Sequence, residues 1–297
     1  MKIELLPAGR FSKEELTSLY NKTRVDYLVP MPMNADRLME YVHDFDVDLD
    51  RSRVARAEDG QILGLCMLGV RKNIAWITRL GVLPVTRRHG TGAALMDDML
   101  ASAEAMGMTE THLEVIRNNT PAYTLFLNKG FKETGEYLVM RRAPAPVTET
   151  LQGRATWLDG HDAVEILRSY PNHLTWINAV PSMQNAKDVE GLKLELPDGA
   201  SGWLVFRSQQ FTLRSSLNHL VMHTEKGNAE DVGKQLLLHL YTRLPNYDTY
   251  AENIHVNDPH LPALRALGFF DNFSRIEMRR AHQTHPGLVR NPPNSLP

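Results

Sequence analysis

The stretch Val82-Leu83-Pro84-Val85-Thr86-Arg87-Arg88-His89-Gly90-Thr91-Gly92-Ala93 holds the pattern best suited to chemistry in this chain. A strand-like run ends, a loop turns, and a helical pattern begins at two closely spaced glycines. A helix start presents backbone N–H groups without intrahelical partners and a partial positive charge, which suits a phosphate. Glycines let a pyrophosphate approach that backbone. Arg87 and Arg88 add charge where it would sit. Other nucleotide motifs do not fit. Gly90-Thr91-Gly92-Ala93-Ala94-Leu95 lacks the third glycine of a dinucleotide fingerprint. The sequence contains neither a G-x-x-x-x-G-K-S/T loop nor a G-x-S-x-G elbow.

The elements that must position this turn read as mixed α and β. Residues 2–7 form a short strand. Ser12-x-x-Glu15 is a capping box that starts a helix, and Asn34 caps a second one carrying Leu38, Met39, Val42 and Phe45. Strand-like runs at 52–57, 61–70 and 74–83 are joined by Asp59-Gly60 and Lys72-Asn73, which suits antiparallel hairpins. A helix from about Gly92 to Met106 carries Leu95, Met96, Met99, Leu100 and Ala103 at helical spacing. A strand at 111–117, a helix at 121–129 and a strand pair at 131–134 and 136–142 complete this half.

The chain also repeats itself. Residues 119–143 align without a gap on residues 257–281, at an offset of 138. Asn119/Asn257, Pro121/Pro259, Gly130/Gly268, Phe131/Phe269 and a closing Met-Arg-Arg-Ala are identical. So long a period suggests a duplicated domain rather than a solenoid. In the second half, strand-like runs at 191–196, 202–208 and 211–222 precede a helix at about 230–243. The expected organisation is a domain over 1–143, a Pro-containing linker over 144–154, a second domain over 155–281 and a loose tail over 282–297.

The pattern V-x-P-x-x-R-x-x-G-x-G resembles motif A of the GNAT family of acyl-CoA-dependent N-acyltransferases. Asn119-x-x-Ala122-x-x-Leu125-Phe126-x-x-x-Gly130-Phe131 resembles that family's motif B at the right distance. The resemblance covers residues 1–142 well. The second half resembles a degenerate copy: its loop, Lys226 to Gly233, lacks the motif, and Glu230 and Asp231 would repel a pyrophosphate. The implied fold class is α+β, two GNAT-like domains, each a mostly antiparallel mixed sheet with splayed central strands flanked by helices.

The resemblance implies acetyl-CoA as co-substrate and transfer of its acetyl group to an amine by direct attack on the thioester. Backbone near Leu80, Gly81 and Val82 would hold the pantetheine arm, one N–H polarising the thioester carbonyl. Residues 87–93 (Arg87, Arg88, His89, Gly90, Thr91, Gly92, Ala93) would hold the pyrophosphate. Asn119 would contact the cofactor arm. Phe126 stands where the family often has a proton-donating tyrosine, so it offers contact with the cofactor but no proton. Tyr123, three residues earlier on a nearby helix face, is the candidate acid; its other reading is packing. Trp76 stands where some members carry a glutamate base. Glu114 on the fifth strand is then the candidate carboxylate, and its other reading is a structural ion pair.

The loop Tyr27-Leu28-Val29-Pro30-Met31-Pro32-Met33 is apolar for a connector and would wall an acceptor pocket. The acidic run Asp44 to Asp50 would attract a cationic amine, although a solvated loop is the plainer reading. A non-catalytic acyl-CoA sensor with the same fold is the alternative to an enzyme.

Composition narrows the rest. The 297 residues are 42% apolar and 23% charged, with 33 basic and 35 acidic side chains, so the net charge is −2. That balance gives no global pull on nucleic acid or anionic lipid. One cysteine, Cys66, excludes an intrachain disulfide and reads as a small buried hydrophobe. The first residues do not read as a signal peptide, and no run reaches the ~18 apolar residues of a membrane span. A cytoplasmic protein is expected. His282-x-x-His285 lacks a third ligand, so no metal is expected. The expected partner is an amine-bearing small molecule or peptide; a homodimer is compatible with the sequence.

Overall fold

The computed structural model describes residues 2–29, 31–210 and 215–282. Their twelve strands join in one mixed, mostly antiparallel sheet flanked by helices. The first half contributes β1 (Ile3–Pro7), β2 (Arg53–Ala57), β3 (Ile62–Arg71), β4 (Ile74–Val82), β5 (Glu110–Ile116) and β6 (Lys132–Arg142). The second contributes β7 (Arg154–Leu158), β8 (Val189–Glu195), β9 (Ser201–Gln210), β10 (Ser215–Lys226), β11 (Tyr247–His255) and β12 (Phe270–Ala281). Across the sheet the order is β1-β2-β3-β4-β5-β12-β6-β11-β10-β9-β8-β7.

That order corrects one expectation. Residues 131–142 do not fold back as a strand pair. They form a single strand, β6, whose two neighbours, β12 and β11, both come from the second half. Likewise β12 lies against β5 of the first half. Each half therefore lends its final strand to the other. The repeat explains the geometry: Tyr137 pairs with Arg275, its own counterpart at the 138-residue offset. A local two-fold relation runs through that pair, and the two Met-Arg-Arg-Ala copies lie antiparallel around it.

Several helices begin at side-chain caps written in the sequence. α1 (Lys13–Lys22) begins at a reciprocal capping box, with Ser12 Oγ accepting from the Glu15 N–H and Glu15 accepting from the Ser12 N–H. α2 (Ala35–Asp44) begins where Asn34 accepts from the Arg37 N–H. α3 (Thr91–Ala105) buries Leu95, Met96, Met99, Leu100 and Ala103 on the sheet. α4 (Thr120–Asn128) starts at Asn119 with Pro121 in its first turn. In the second half α5 (Gly160–Leu167), α6 (Val180–Asn185), α7 (Ala229–Arg243) and α8 (Leu261–Ala266) take comparable places. Cys66 is fully buried, and burial raises its pKa, as for an inert core thiol.

Among the described residues only β4–β5 and β10–β11 pair in parallel, and both pairs come apart. β4 stays with β5 through Ile77–Leu113 and then runs on to Val82. β10 stays with β11 through Asn218–Tyr250. Just past each separation the strand bulges at a non-glycine residue of positive φ, Arg79 (53°) in β4 and His219 (54°) in β10. A bulge re-aims side chains, and both residues turn toward the same interior space.

Buried ion pairs and aromatic contacts lock the halves together. Arg207 of β9 binds Asp44 at 2.7 Å, both side chains 6% exposed. Arg71 bonds Asp46, the Trp176 carbonyl and Ser182 Oγ. Trp76 stacks on Trp176 at 5.4 Å, and the Trp176 indole donates to the Phe45 carbonyl. The acidic run from Asp44 is thus neither a solvated loop nor a free cation attractor: its first two carboxylates hold arginines at the seam. His282, expected in a loose tail, is buried and bonded to Thr111 and Glu104. His285 and the rest of 283–297 lie outside the described residues.

Candidate active site

The separation of β4 from β5 opens a cavity of about 290 Å³. Thr78, Arg79 and Leu80 form one wall and Glu114, Val115 and Ile116 the other. Beyond Ile77 the β5-facing edge of β4 has no strand partner, which leaves backbone groups to pair with an extended guest. Asn119, Ala122 and Phe126 close the space at α4, and Tyr27, Met31 and Met33 bring the α1–α2 loop over it. That loop is tied down: Tyr20 donates to the Met31 carbonyl, and Asn21 bonds both the N–H and the carbonyl of Met33.

The second half completes the cavity. Arg207, His219, Glu252 and Arg275 all line it. Arg275 lies 2.9 Å from Glu252 and 3.5 Å from Glu114. Asn253, itself at positive φ (59°), donates to Glu114 at 2.9 Å. Glu114 and Glu252 are counterparts at the 138-residue offset, so the repeat brings two equivalent carboxylates to one guanidinium.

Their electrostatics differ. Burial pushes the Glu114 carboxyl above the ordinary carboxylate range, and Arg275 and Asn253 only partly offset it. Burial also works to raise Glu252, yet the adjacent Arg275 guanidinium holds it below its usual value. Burial lowers His219 to about 4, which keeps the ring neutral at pH 7. A raised, buried carboxylate in a cleft is the profile of a general base.

The start of α3 lies at the far end of β4. Gly90 is its N-cap at φ 85°, a conformation glycine tolerates, and no side chain caps the helix. Arg88 is also left-handed, at φ 66°. The N–H groups of Thr91, Gly92 and Ala93 have no helical acceptor behind them. Thr91 Oγ1 is buried and unpartnered. A Cβ on Gly90 would meet nothing within 4 Å, so space lies open beside the N-cap. These groups fit a pyrophosphate. Gly92 packs toward Leu125 and Val82, which links the turn to the cavity end of β4.

A family model, Acetyltransferase (GNAT) family, matches residues 16–131. Solved structures extend the likeness across both halves. A tandem GNAT protein from the clavulanic acid biosynthesis pathway superposes with a TM-score of 0.67, covering 94% of this chain and 98% of that one at 15% identity. The chain has the fold of a tandem GNAT protein. A GCN5-related N-acetyltransferase from Sphaerobacter thermophilus gives a TM-score of 0.65, covering 94% and 95% at 14% identity. A mycothiol acetyltransferase from Clavibacter michiganensis is 33% identical over 90 residues, 30% of this chain. The chain spans about 29% of that relative's length in the match.

Within this tandem GNAT-like fold the sequence-derived residues fall into three groups. Leu80, Glu114, Asn119 and Phe126 meet at the cavity. Arg88, His89, Gly90, Thr91, Gly92 and Ala93 form the α3 turn, with Gly81 and Val82 between it and the cavity. Two residues are engaged elsewhere. The Arg87 guanidinium makes a bidentate pair with Asp26 at 2.7 Å to each oxygen and also donates to the Thr23 carbonyl. It pins the α1–α2 connection. The Tyr123 hydroxyl donates to Glu133, and Tyr123 is not among the residues lining the cavity. That bond raises the Tyr123 pKa.

Sequence reading missed Arg24, Tyr41, Arg79, Arg207, His219, Glu252 and Arg275, all of which line the cavity. For the last four the missing information was long-range. They arrive because the strands of the second half join the same sheet and β12 lies beside β5.

Proposed function

We propose that this protein is an acetyl-CoA-dependent N-acetyltransferase whose first half, residues 1–143, binds the donor and whose second, over 155–281, completes the acceptor site. The single observation that carries the reading is the uncapped α3 start beside parted strands that open on a buried carboxylate. Acetyl-CoA supplies the acyl group as a thioester, which an amine attacks with loss of the thiolate. The N–H groups at Thr91, Gly92 and Ala93, with Thr91 Oγ1 and the Arg88 charge, would hold its pyrophosphate. The free edge of β4 at Leu80, Gly81 and Val82 would pair with the pantetheine arm, with Asn119 and Phe126 beside it.

Glu114 takes the proton from the incoming ammonium. Its raised pKa matches that task, because a base must ionise near the working pH and still hold a proton. Arg275 and Asn253 orient the carboxylate. The cavity confines the acceptor, which turns a two-body encounter into a positioned one. Tyr27, whose hydroxyl lies 3.4 Å from Asn119 Nδ2, puts a hydroxyl on the donor side of the cavity.

A second reading, a non-catalytic acyl-CoA sensor, draws support from the engagement of Tyr123 with Glu133 and from the apolar Phe126. Calorimetric titration with acetyl-CoA, followed by acetyl transfer to a broad amine panel, decides between them. One site per chain with turnover of at least one amine is expected. One site with no turnover across the panel favours the sensor. Two sites, or none, would overturn the assignment of donor binding to the first half.

A further inference from the structure

Of the arginines lining the cavity, two stand apart. Arg207 is paired with Asp44, Asp188 and Glu40, Arg275 with Glu252 and Glu114, and Arg37 with Glu40. Arg24 and Arg79 have no carboxylate within 4 Å among the described residues. The Nε atom of each is buried and has no hydrogen-bond partner.

The two guanidiniums converge on one aromatic ring. Arg24 lies 4.3 Å above Tyr20 and Arg79 5.3 Å from it. Arg79 also lies 4.0 Å over Tyr41, and Arg24 5.2 Å from Tyr27. Their side-chain bonds go to neutral groups: Arg79 donates to Tyr20 Oη at 3.1 Å and to Met31 Sδ at 4.0 Å, and Arg24 to Thr23 Oγ1 at 3.0 Å. Two like charges taken out of water repel each other and leave donors unsatisfied, which is costly unless an anion joins them. Burial and the nearby Arg79 both depress the Arg24 pKa, whereas burial works against Arg79 but Tyr41, Tyr20 and Glu252 hold it above its usual value.

We propose that the acceptor is an amine that also carries an anionic oxyacid group, a carboxylate or a phosphate ester, received by Arg24 and Arg79. Guanidinium forks match both groups. The amine then faces Glu114 while the anion sits at the Tyr20 cradle, so the cavity reads the two ends of one small molecule. This rests on the acetyltransferase reading and specifies its acceptor.

The test uses the full-length protein saturated with CoA and product-like probes. N-acetylated amino acids and N-acetylated phosphoethanolamine are titrated beside the matched methyl esters and N-acetylethanolamine. At least one anionic probe is expected to bind tenfold or more tightly than its neutral match. That advantage should vanish in Arg79→Met and in Arg24→Met, with CoA affinity within twofold of the unmodified protein. Whether a carboxylate or the phosphate binds better identifies the source of the anion. Equal binding of neutral and anionic probes, or no binding of any anion, overturns the proposal, and both readings come from the unmodified protein even if a variant misfolds. Loss of CoA affinity in the variants with the anion advantage intact also overturns it, because the arginines would then serve the donor. Should CoA itself fail to bind, the acetyltransferase reading falls instead, and the same probe series on the free protein still decides the anion site.

Discussion

The two helix starts of the repeat, α3 and α7, show how one fold keeps or loses an anion site. Both helices run fifteen residues, and their N-caps are counterparts at the 138-residue offset, Gly90 and Asn228. At Gly90 the backbone is left-handed and no side chain caps the first N–H groups. At Asn228 the backbone is extended, and the side chain accepts from the N–H groups of Glu230 and Asp231. The second helix start therefore satisfies its own donors and surrounds them with negative charge, which favours its own stability through cap and dipole. The first leaves its donors for a guest. The difference lies in a few side chains, while the sheet beneath remains nearly two-fold.

The equivalent carboxylates sharpen the comparison most. Glu114 and Glu252 meet the same arginine, but burial raises the first and the second is held down. Glu114→Gln is expected to lower kcat by about 100- to 10,000-fold, the usual span for a lost general base, with acetyl-CoA affinity within twofold. Glu252→Gln should act mainly on stability, because Arg275 loses its nearer partner. Steady-state kinetics beside a thermal melt on both variants measures this. Equal loss of kcat in the two would break the assignment of distinct roles.

The bulge residues form the next pair. Arg79 carries a fixed charge, whereas His219 is neutral, sits against Asn178 at 3.1 Å and has its pKa lowered by burial to about 4. An unfolded histidine protonates near 6.5. Above that pH neither state binds the proton and the full stability is present. As pH falls from about 6.5 to about 4 the unfolded state gains a proton that the folded state refuses. The loss amounts to about 3 kcal/mol by linkage. His219→Asn should flatten that part of the pH–stability curve, read by denaturant unfolding at a series of pH values. An unchanged slope would show that His219 is not the group responsible.

The helix starts can be exchanged directly. Gly90→Asn with Gly92→Glu and Ala93→Asp gives α3 the first turn of α7. Acetyl-CoA affinity should drop at least 100-fold, about 3 kcal/mol, with helical circular dichroism retained. Retained affinity would place the donor elsewhere.

Local features of the sequence carried much of this. The Ser12 box, the Asn34 cap, the helical spacing from Leu95 to Ala103 and the two glycines of α3 are all written within a few residues of where they act. The repeat carried the second half. What escaped was set by partner choice across the sheet. An alternating strand such as residues 132–142 fits an antiparallel neighbour from either half, and nothing local says that β12 will take the place beside β5. Arg275 and Asn253 reach Glu114 only through that exchange, so the electrostatics of the candidate base could not be read before the topology was known. Arg87 failed for a different reason. Its type and place suited a phosphate, but Asp26, sixty-one residues earlier, folds within bidentate reach.

The smallest effect is also the cleanest test of why the helix starts differ. In Asn228→Ala the Glu230 and Asp231 N–H groups lose an acceptor that now lies at 2.8 and 3.2 Å. A lost cap of this kind costs about 1 kcal/mol, and Asn228→Gly only a few tenths. Gly90→Ala should cost a similar ~1 kcal/mol for another reason, because alanine at φ 85° is strained although space is open around it. Gly90→Asn should be milder than Gly90→Ala, since asparagine tolerates the left-handed region. Chemical denaturation of the four variants reads these differences, and acetyl-CoA affinity should stay level in both Asn228 variants. A loss of donor affinity on Asn228→Ala would mean that the second helix start still takes part in binding, and the contrast between the halves would have to be redrawn.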